Sequence, residues 1–164
     1  MKDKIKVISN SDGRCGIDNY QLRLTRRWEN RGAAQYIDKD TLEELMATDV
    51  SFINLVKDGI LFIDDMEFKK SIGLEPEDAK EPTLILMDDK EMNRLWKVIP
   101  FAQFKVEIKK LTHEQLVYLA EYAIQHGSDG SMDKIDYLSN ASGYNIMKGI
   151  ELDKANREEV KEVK

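Results

Sequence analysis

The run Ile60-Leu61-Phe62-Ile63 constrains this chain more than any other stretch. It is short, wholly apolar and rich in β-favouring residues. Asp58-Gly59 punctuates it before and Asp64-Asp65 after, so it reads as a strand buried on both faces. Such a strand requires pairing partners and covering layers. The flanks offer both, with strand-like alternation upstream and amphipathic helices on either side.

Taken in order, Lys4-Ile5-Lys6-Val7-Ile8 alternates polar and apolar residues as a half-buried strand does, and Ser9-Asn10-Ser11-Asp12-Gly13 ends it with turn chemistry. Residues 20–28 alternate again. Tyr20, Leu22, Leu24, Arg26 and Trp28 share one face, with Arg26 snorkelling; Gln21, Arg23, Thr25 and Arg27 share the other. Residues 33–37 return as a third strand. Asp40 with Glu43, and Asp64 with Glu67, read as helix capping boxes; Asp49 opens a helix of Phe52, Ile53 and Val56; Gly73 closes the helix after the central strand.

Residues 74–82 hold two prolines and four acids and form a loop with little to bury. Thr83-Leu84-Ile85-Leu86-Met87 is expected to be a strand pairing with residues 60–63. Asp88 with Glu91 caps a helix striped by Met92, Leu95, Trp96 and Ile99, which Pro100 interrupts before Phe101, Phe104, Ile108 and Leu111. Thr112 with Gln115 starts the best-specified helix, in which Leu116, Leu119, Ala120, Ala123 and Ile124 recur at helical spacing until Gly127. Ser128-Asp129-Gly130-Ser131 reads as a turn. Two further helices divide near Gly143, and the polar tail from Glu151 is expected to fray. The expected fold is α+β: a small antiparallel N-terminal sheet or open barrel with short helices over residues 1–87, then a C-terminal helical bundle over residues 88–164.

Charge is distributed unevenly. Residues 1–36 carry eight Lys/Arg against four Asp/Glu, or +4; the rest carry 17 against 27, or −10, giving the net −6. An acidic whole argues against a dedicated nucleic-acid binder, and the polarity suits a head-to-tail contact or an internal one. Cys15 is the only cysteine, which fits a reducing compartment. No apolar run reaches the roughly 18 residues of a membrane span, and the first residues lack a signal-peptide core, so the expectation is a soluble, unprocessed chain with no membrane partner.

Catalytic patterns are missing. His113 and His126 fall at opposite ends of one helix, so they do not share a metal, and a single cysteine completes no zinc set. No nucleophile elbow, phosphate-binding loop or dinucleotide glycine fingerprint occurs. Arg14 beside Cys15 is a feature that would depress the thiol pKa, although an incidental thiol is the plainer reading. Asp64, Asp65, Asp88 and Asp89 serve helix starts better than a metal, and Glu75, Glu77 and Asp78 a solvated loop. The segment Asp129-Gly130-Ser131-Met132-Asp133 lacks the alternating ligands of a calcium loop. The expectation is therefore a non-enzymatic protein with no cofactor, no metal and no catalytic residue.

One binding constellation stands out: Arg23, Arg26, Arg27 and Arg31, interleaved with Tyr20 and Trp28. Arginine and aromatic residues in this pattern serve a protein interface or grip a phosphate backbone while stacking a base. The C-terminal helix pair, residues 132–141 and 144–153, has helix-turn-helix length. Its second helix offers only Asn145 and Lys148 to a groove, so a DNA reader is rejected.

A longer pattern threads these segments. It runs Val7-Ile8-Ser9-Asn10, Gly13-Arg14, Gly16-Ile17, Leu22-Arg23, Arg27-Trp28-Glu29 and Gly32-Ala33. It continues through Leu42-Glu43-Glu44, Gly59-Ile60-Leu61, Ile63-Asp64-Asp65-Met66 and Gly73-Leu74-Glu75-Pro76. It resembles small, uncharacterised proteins of tailed bacteriophages and prophages of Gram-positive bacteria, more loosely through residues 112–123 and 141–152. The resemblance carries no functional residue over. It implies a virion structural or assembly protein, a head or neck accessory acting through protein–protein contacts with other virion proteins or copies of itself. The location it implies is the virion, with the host cytoplasm as the alternative. The competing reading is a phage nucleic-acid-associated or regulatory protein using the basic residues 23–31.

Overall fold

The computed structural model describes residues 3–127 and 130–163. It is α+β, and the chain divides into two compact units, Met1–Asp88 and Asp89–Lys164. Among the described residues, no helix is long and apolar enough to cross a membrane.

The first unit is built on β1 (Lys4–Ser9), β2 (Cys15–Asn19), β3 (Leu24–Trp28), β4 (Ala34–Asp38) and β5 (Leu61–Ile63). A three-stranded antiparallel sheet has the order β4-β1-β5, and β2 and β3 form a separate hairpin. The centre is thus β1 and not the run at residues 60–63. β5 is an edge strand: Leu61 and Ile63 are buried while Phe62 is half-exposed. β1 takes the centre because Ile5, Val7, Ile8 and Ser9 are all buried, so it tolerates a neighbour on each side.

Residues 20–28 are not one strand. Residues 20–23 make a turn, with Arg23 at φ 51, and the hairpin's first strand is β2, whose Gly and Asp carry no strand periodicity. From Leu24 to Trp28 the alternation holds: Leu24 and Trp28 are buried, Thr25 and Arg27 exposed. Trp28 docks the hairpin on the sheet, its indole N–H donating to the Val7 carbonyl at 2.9 Å.

Helices α1 (Lys39–Thr48), α2 (Val50–Lys57) and α3 (Met66–Ser71) complete the core with Leu42, Leu45, Phe52, Val56 and Phe68. Asp49 caps α2 by accepting from Phe52 N–H. Two expected caps are displaced. α1 begins before Asp40 and its start makes no side-chain cap, because the helix follows β4 directly; α3 is capped by Asp65 and not Asp64. Gly73 ends this region at φ 76.

Residues 83–87 do not add a strand to β5. The buried Asn10 side chain holds them instead, donating to the Gly59 and Ile85 carbonyls at 2.9 and 3.2 Å and accepting from Met87 N–H at 2.7 Å. Nor is the preceding loop wholly solvated. Glu75 is buried, its carboxylate accepting from the Thr83 N–H at 2.7 Å and hydroxyl at 2.8 Å.

The second unit is helical: α4 (Asp89–Asn93), a π-helical segment Arg94–Val98, α5 (Phe101–Ile108), α6 (His113–Gln125), α7 (Met132–Ser142) and α8 (Ile146–Glu162). Met92, Leu95, Trp96 and Ile99 are buried as their spacing predicts, and Pro100 separates α5. The Thr112–Gln115 capping box is formed. The buried face of α6 is rotated towards Gln115, Tyr118 and Tyr122, leaving Leu116 and Ile124 half-buried. Gly149 and Gly127 let α8 approach closely: a Cβ would come within 2.6 Å of Ile124 or 2.4 Å of Ile150. The polar tail continues as helix to Glu162, since its long polar residues are strong helix formers. Ser128 and Asp129, parts of the expected turn and of the calcium-loop fragment, lie outside the described residues.

Candidate functional site

The β2–β3 hairpin carries three of the four arginines singled out in the sequence, and it disperses them. Arg23 is exposed in the turn. Arg26 and Arg27 are neighbours on β3 and so project to opposite faces. Arg31 follows the strand, its side chain 11% exposed and 3.8 Å from Asp12.

Arg27 is tied down most firmly. Gly16 stands opposite it in the ladder, and the arginine side chain lies over that glycine. Its guanidinium donates to the Ile17 carbonyl at 3.0 Å and to Asp18 at 2.7 Å. The pairing holds the Asp18 carboxyl below its ordinary value, with the Thr25 hydroxyl assisting, and raises Arg27 in turn. Arg14 pairs with Glu29 at 2.7 Å, and Arg26 donates to the Thr25 carbonyl at 2.9 Å. On this hairpin Arg14 and Arg27 are therefore matched by carboxylates, whereas Arg26 meets a backbone carbonyl.

Its tip is different. Asn19 accepts from Leu22 N–H at 2.9 Å through its side-chain oxygen, and through its amide donates to Asp49 at 2.9 Å. One residue thus folds the turn and anchors it to the start of α2. Tyr20 is held there 94% exposed, beside Arg23 in its left-handed conformation. Alternation alone puts both residues in a strand; the signal for the turn is Asn19, an asparagine opening a four-residue turn.

The remaining chemistry is sparse. Cys15 sits 3.7 Å from the Ser9 hydroxyl, and burial pushes its thiol up, the reverse of the expected effect of Arg14, whose guanidinium is engaged by Glu29. His126 stacks on Tyr122 with ring centroids 4.3 Å apart, while His113 begins the same helix. Among the described residues, no group of three or more His, Cys, Asp or Glu side chains is placed to hold a metal ion. No family model, curated protein or solved structure matches this chain.

Proposed function

We propose that the protein is a non-catalytic component of a tailed-phage particle or its assembly, working by protein–protein contact through the tip of the β2–β3 hairpin. The observation supporting this reading is the anchored presentation of Tyr20 and Arg23. A large aromatic held exposed by a fixed turn loses little conformational freedom on binding, and Tyr and Arg are preferred anchors of interface hot spots. The carboxylate partners of Arg14, Arg27 and Arg31 weaken the positive field that a phosphate backbone would need. The contact is therefore assigned to a protein, either another virion component or a second copy of this chain.

The test is mass spectrometry of purified particles from a phage carrying the wild-type chain or the Tyr20→Ala, Arg23→Glu double variant. Wild-type peptides are expected in abundance. Variant peptides should be lost, although the variant remains folded by circular dichroism. Undiminished incorporation of the variant would remove the hairpin from the contact. Absence of the wild-type chain from both particles and assembly intermediates would remove the structural role itself.

A further inference from the structure

Helices α1 and α2, with the turn that follows α3, leave a groove of about 450 Å³ on the first unit. Met46, Ile53, Ile72 and Leu74 make an apolar floor, each of them only partly buried. Met46, Ile72 and Leu74 pack against the core beneath, so the floor is fixed in place. Glu43 stands on the α1 wall and Lys57 on the α2 wall, both exposed. Among the described residues, neither side chain has an ion pair or a hydrogen bond. The groove is thus an accessible apolar surface with one unmatched anion and one unmatched cation at its rims.

The hairpin tip offers the complementary set. Tyr20 is 94% exposed, so its ring fills no groove of its own chain. Arg23 is also exposed, and among the described residues its guanidinium has no acceptor. Asn19 ties the tip to Asp49, which ends α1 and caps α2, the two helices that wall the groove. Tip and groove therefore keep a fixed relation to each other through a single residue.

We propose that the groove receives the hairpin tip of a second copy of this chain. The Tyr20 ring lies on the apolar floor, the Arg23 guanidinium pairs with Glu43, and the Tyr20 hydroxyl accepts from Lys57. This rests on the reading of the tip as a contact surface and names its partner. An aromatic anchor calls for an apolar pocket, and an unmatched guanidinium for an unmatched carboxylate. Lys57 on the opposite wall repels Arg23 and so sets which way round the tip enters. A nucleic acid would meet Glu43 with like charge, and a wholly apolar segment would make no use of it. Because each copy carries both surfaces, the contact is either reciprocated in a two-fold pair or repeated along an open chain. It is small, so the association is weak.

Analytical sedimentation of the full chain over about two decades of concentration tests it by mass action. Wild type is expected to associate reversibly. Arg23→Glu and Glu43→Arg should each weaken association by about tenfold or more. Both reversals in one chain should restore it, because the charge pair is only turned round. Tyr20→Ala should abolish association and leave the circular dichroism spectrum unchanged. Nuclear magnetic resonance on the wild-type chain gives a readout independent of the variants: with rising concentration, Met46, Ile53 and Ile72 should shift together with Tyr20. A chain that stays monomeric, association that leaves the groove residues unmoved, or a double reversal no better than the single ones would each overturn the proposal. A monomeric wild type whose Tyr20→Ala, Arg23→Glu variant is still lost from particles would remove the second copy as partner and leave the tip contact itself standing.

Discussion

Gly16 and Arg27 face each other across the β2–β3 ladder, and the arginine occupies the space a side chain on the glycine would need. A Cβ there would lie 2.6 Å from the Arg27 Cδ and 2.8 Å from the Arg26 carbonyl oxygen. Gly16→Ala is therefore expected to destabilise the protein by about 1–3 kcal/mol, the usual range for overpacking. In an Arg27→Ala background the cost should fall without vanishing, since the Arg26 backbone still obstructs. Chemical denaturation of the four proteins in this cycle provides the check, and a cost unchanged by Arg27→Ala would show that the arginine does not lie over Gly16.

The hairpin also shows what the sequence makes legible. Leu24, Arg26 and Trp28 alternate with Thr25 and Arg27, and a period of two follows from the pleat alone. The partner of Arg27 is not readable that way, because Asp18 sits on a strand with weak β-propensity that exists only through its pairing. Residues 83–87 illustrate the opposite failure. Their composition is that of a strand, yet the buried amide of Asn10 outcompetes a ladder with β5. Lys69 was hidden for a third reason: the chain turns back beside it, with the Leu74 and Glu75 N–H groups donating to its carbonyl and Glu75 held by Thr83, a tertiary arrangement with no periodic signature. The helical half was more readable, because capping and heptad-like spacing are local.

Lys69 and Lys134 are both buried, and opposite responses to methionine are expected. Lys134 donates to the Leu95 and Trp96 carbonyls at 3.1 and 3.0 Å, serving oxygens of the π-helical segment. Lys134→Met removes those bonds and is expected to cost about 1–3 kcal/mol. Lys69 has no such acceptor, so Lys69→Met should stabilise by on the order of 1 kcal/mol near neutral pH. Burial places the folded pKa of Lys69 below the unfolded value of about 10.4. Between those values the unfolded chain binds more protons, so its contribution to stability rises with pH. The advantage of Lys69→Met should accordingly shrink as pH is raised towards 10. Thermal melts across that range decide the matter, and an advantage that grows with pH would contradict it.

Asn10 joins three parts of the first unit, and Asn10→Ala should release residues 83–87. Met87 N–H loses its acceptor, and the bonds to the Gly59 and Ile85 carbonyls go with it. A loss of about 1–3 kcal/mol is expected. The diagnostic measurement is hydrogen exchange: the Met87 amide should exchange much faster in the variant, while amides in the β1–β4 ladder keep their relative order of protection. Unchanged protection at Met87 would mean that another acceptor holds it.

Trp28 should matter for folding, since it is fully buried and spans from the hairpin to Val7. Trp28→Ala is expected to cost about 3–5 kcal/mol, a large part of the total stability of an ordinary domain. Trp28→Phe keeps most of the apolar volume and should cost markedly less. Equal costs for the two substitutions, measured by denaturant unfolding, would place the importance of Trp28 in its indole hydrogen bond and not in packing.

Arg23 separates stability from contact. It holds φ 51 in an exposed turn, where its side chain gains no burial and its backbone takes the left-handed form that a Cβ disfavours. Glycine adopts that conformation freely, although it gives up more entropy on folding. The balance favours Arg23→Gly by up to about 1 kcal/mol. A strained residue kept at an exposed tip suits a functional requirement more than a structural one. Under the proposed contact, Arg23→Gly should therefore melt at a slightly higher temperature while being recruited less well into particles. Arg23→Lys, which keeps the charge but not the planar fork, should fall between wild type and glycine in recruitment. A glycine variant that is recruited as well as wild type would show that the strain at Arg23 serves the turn alone.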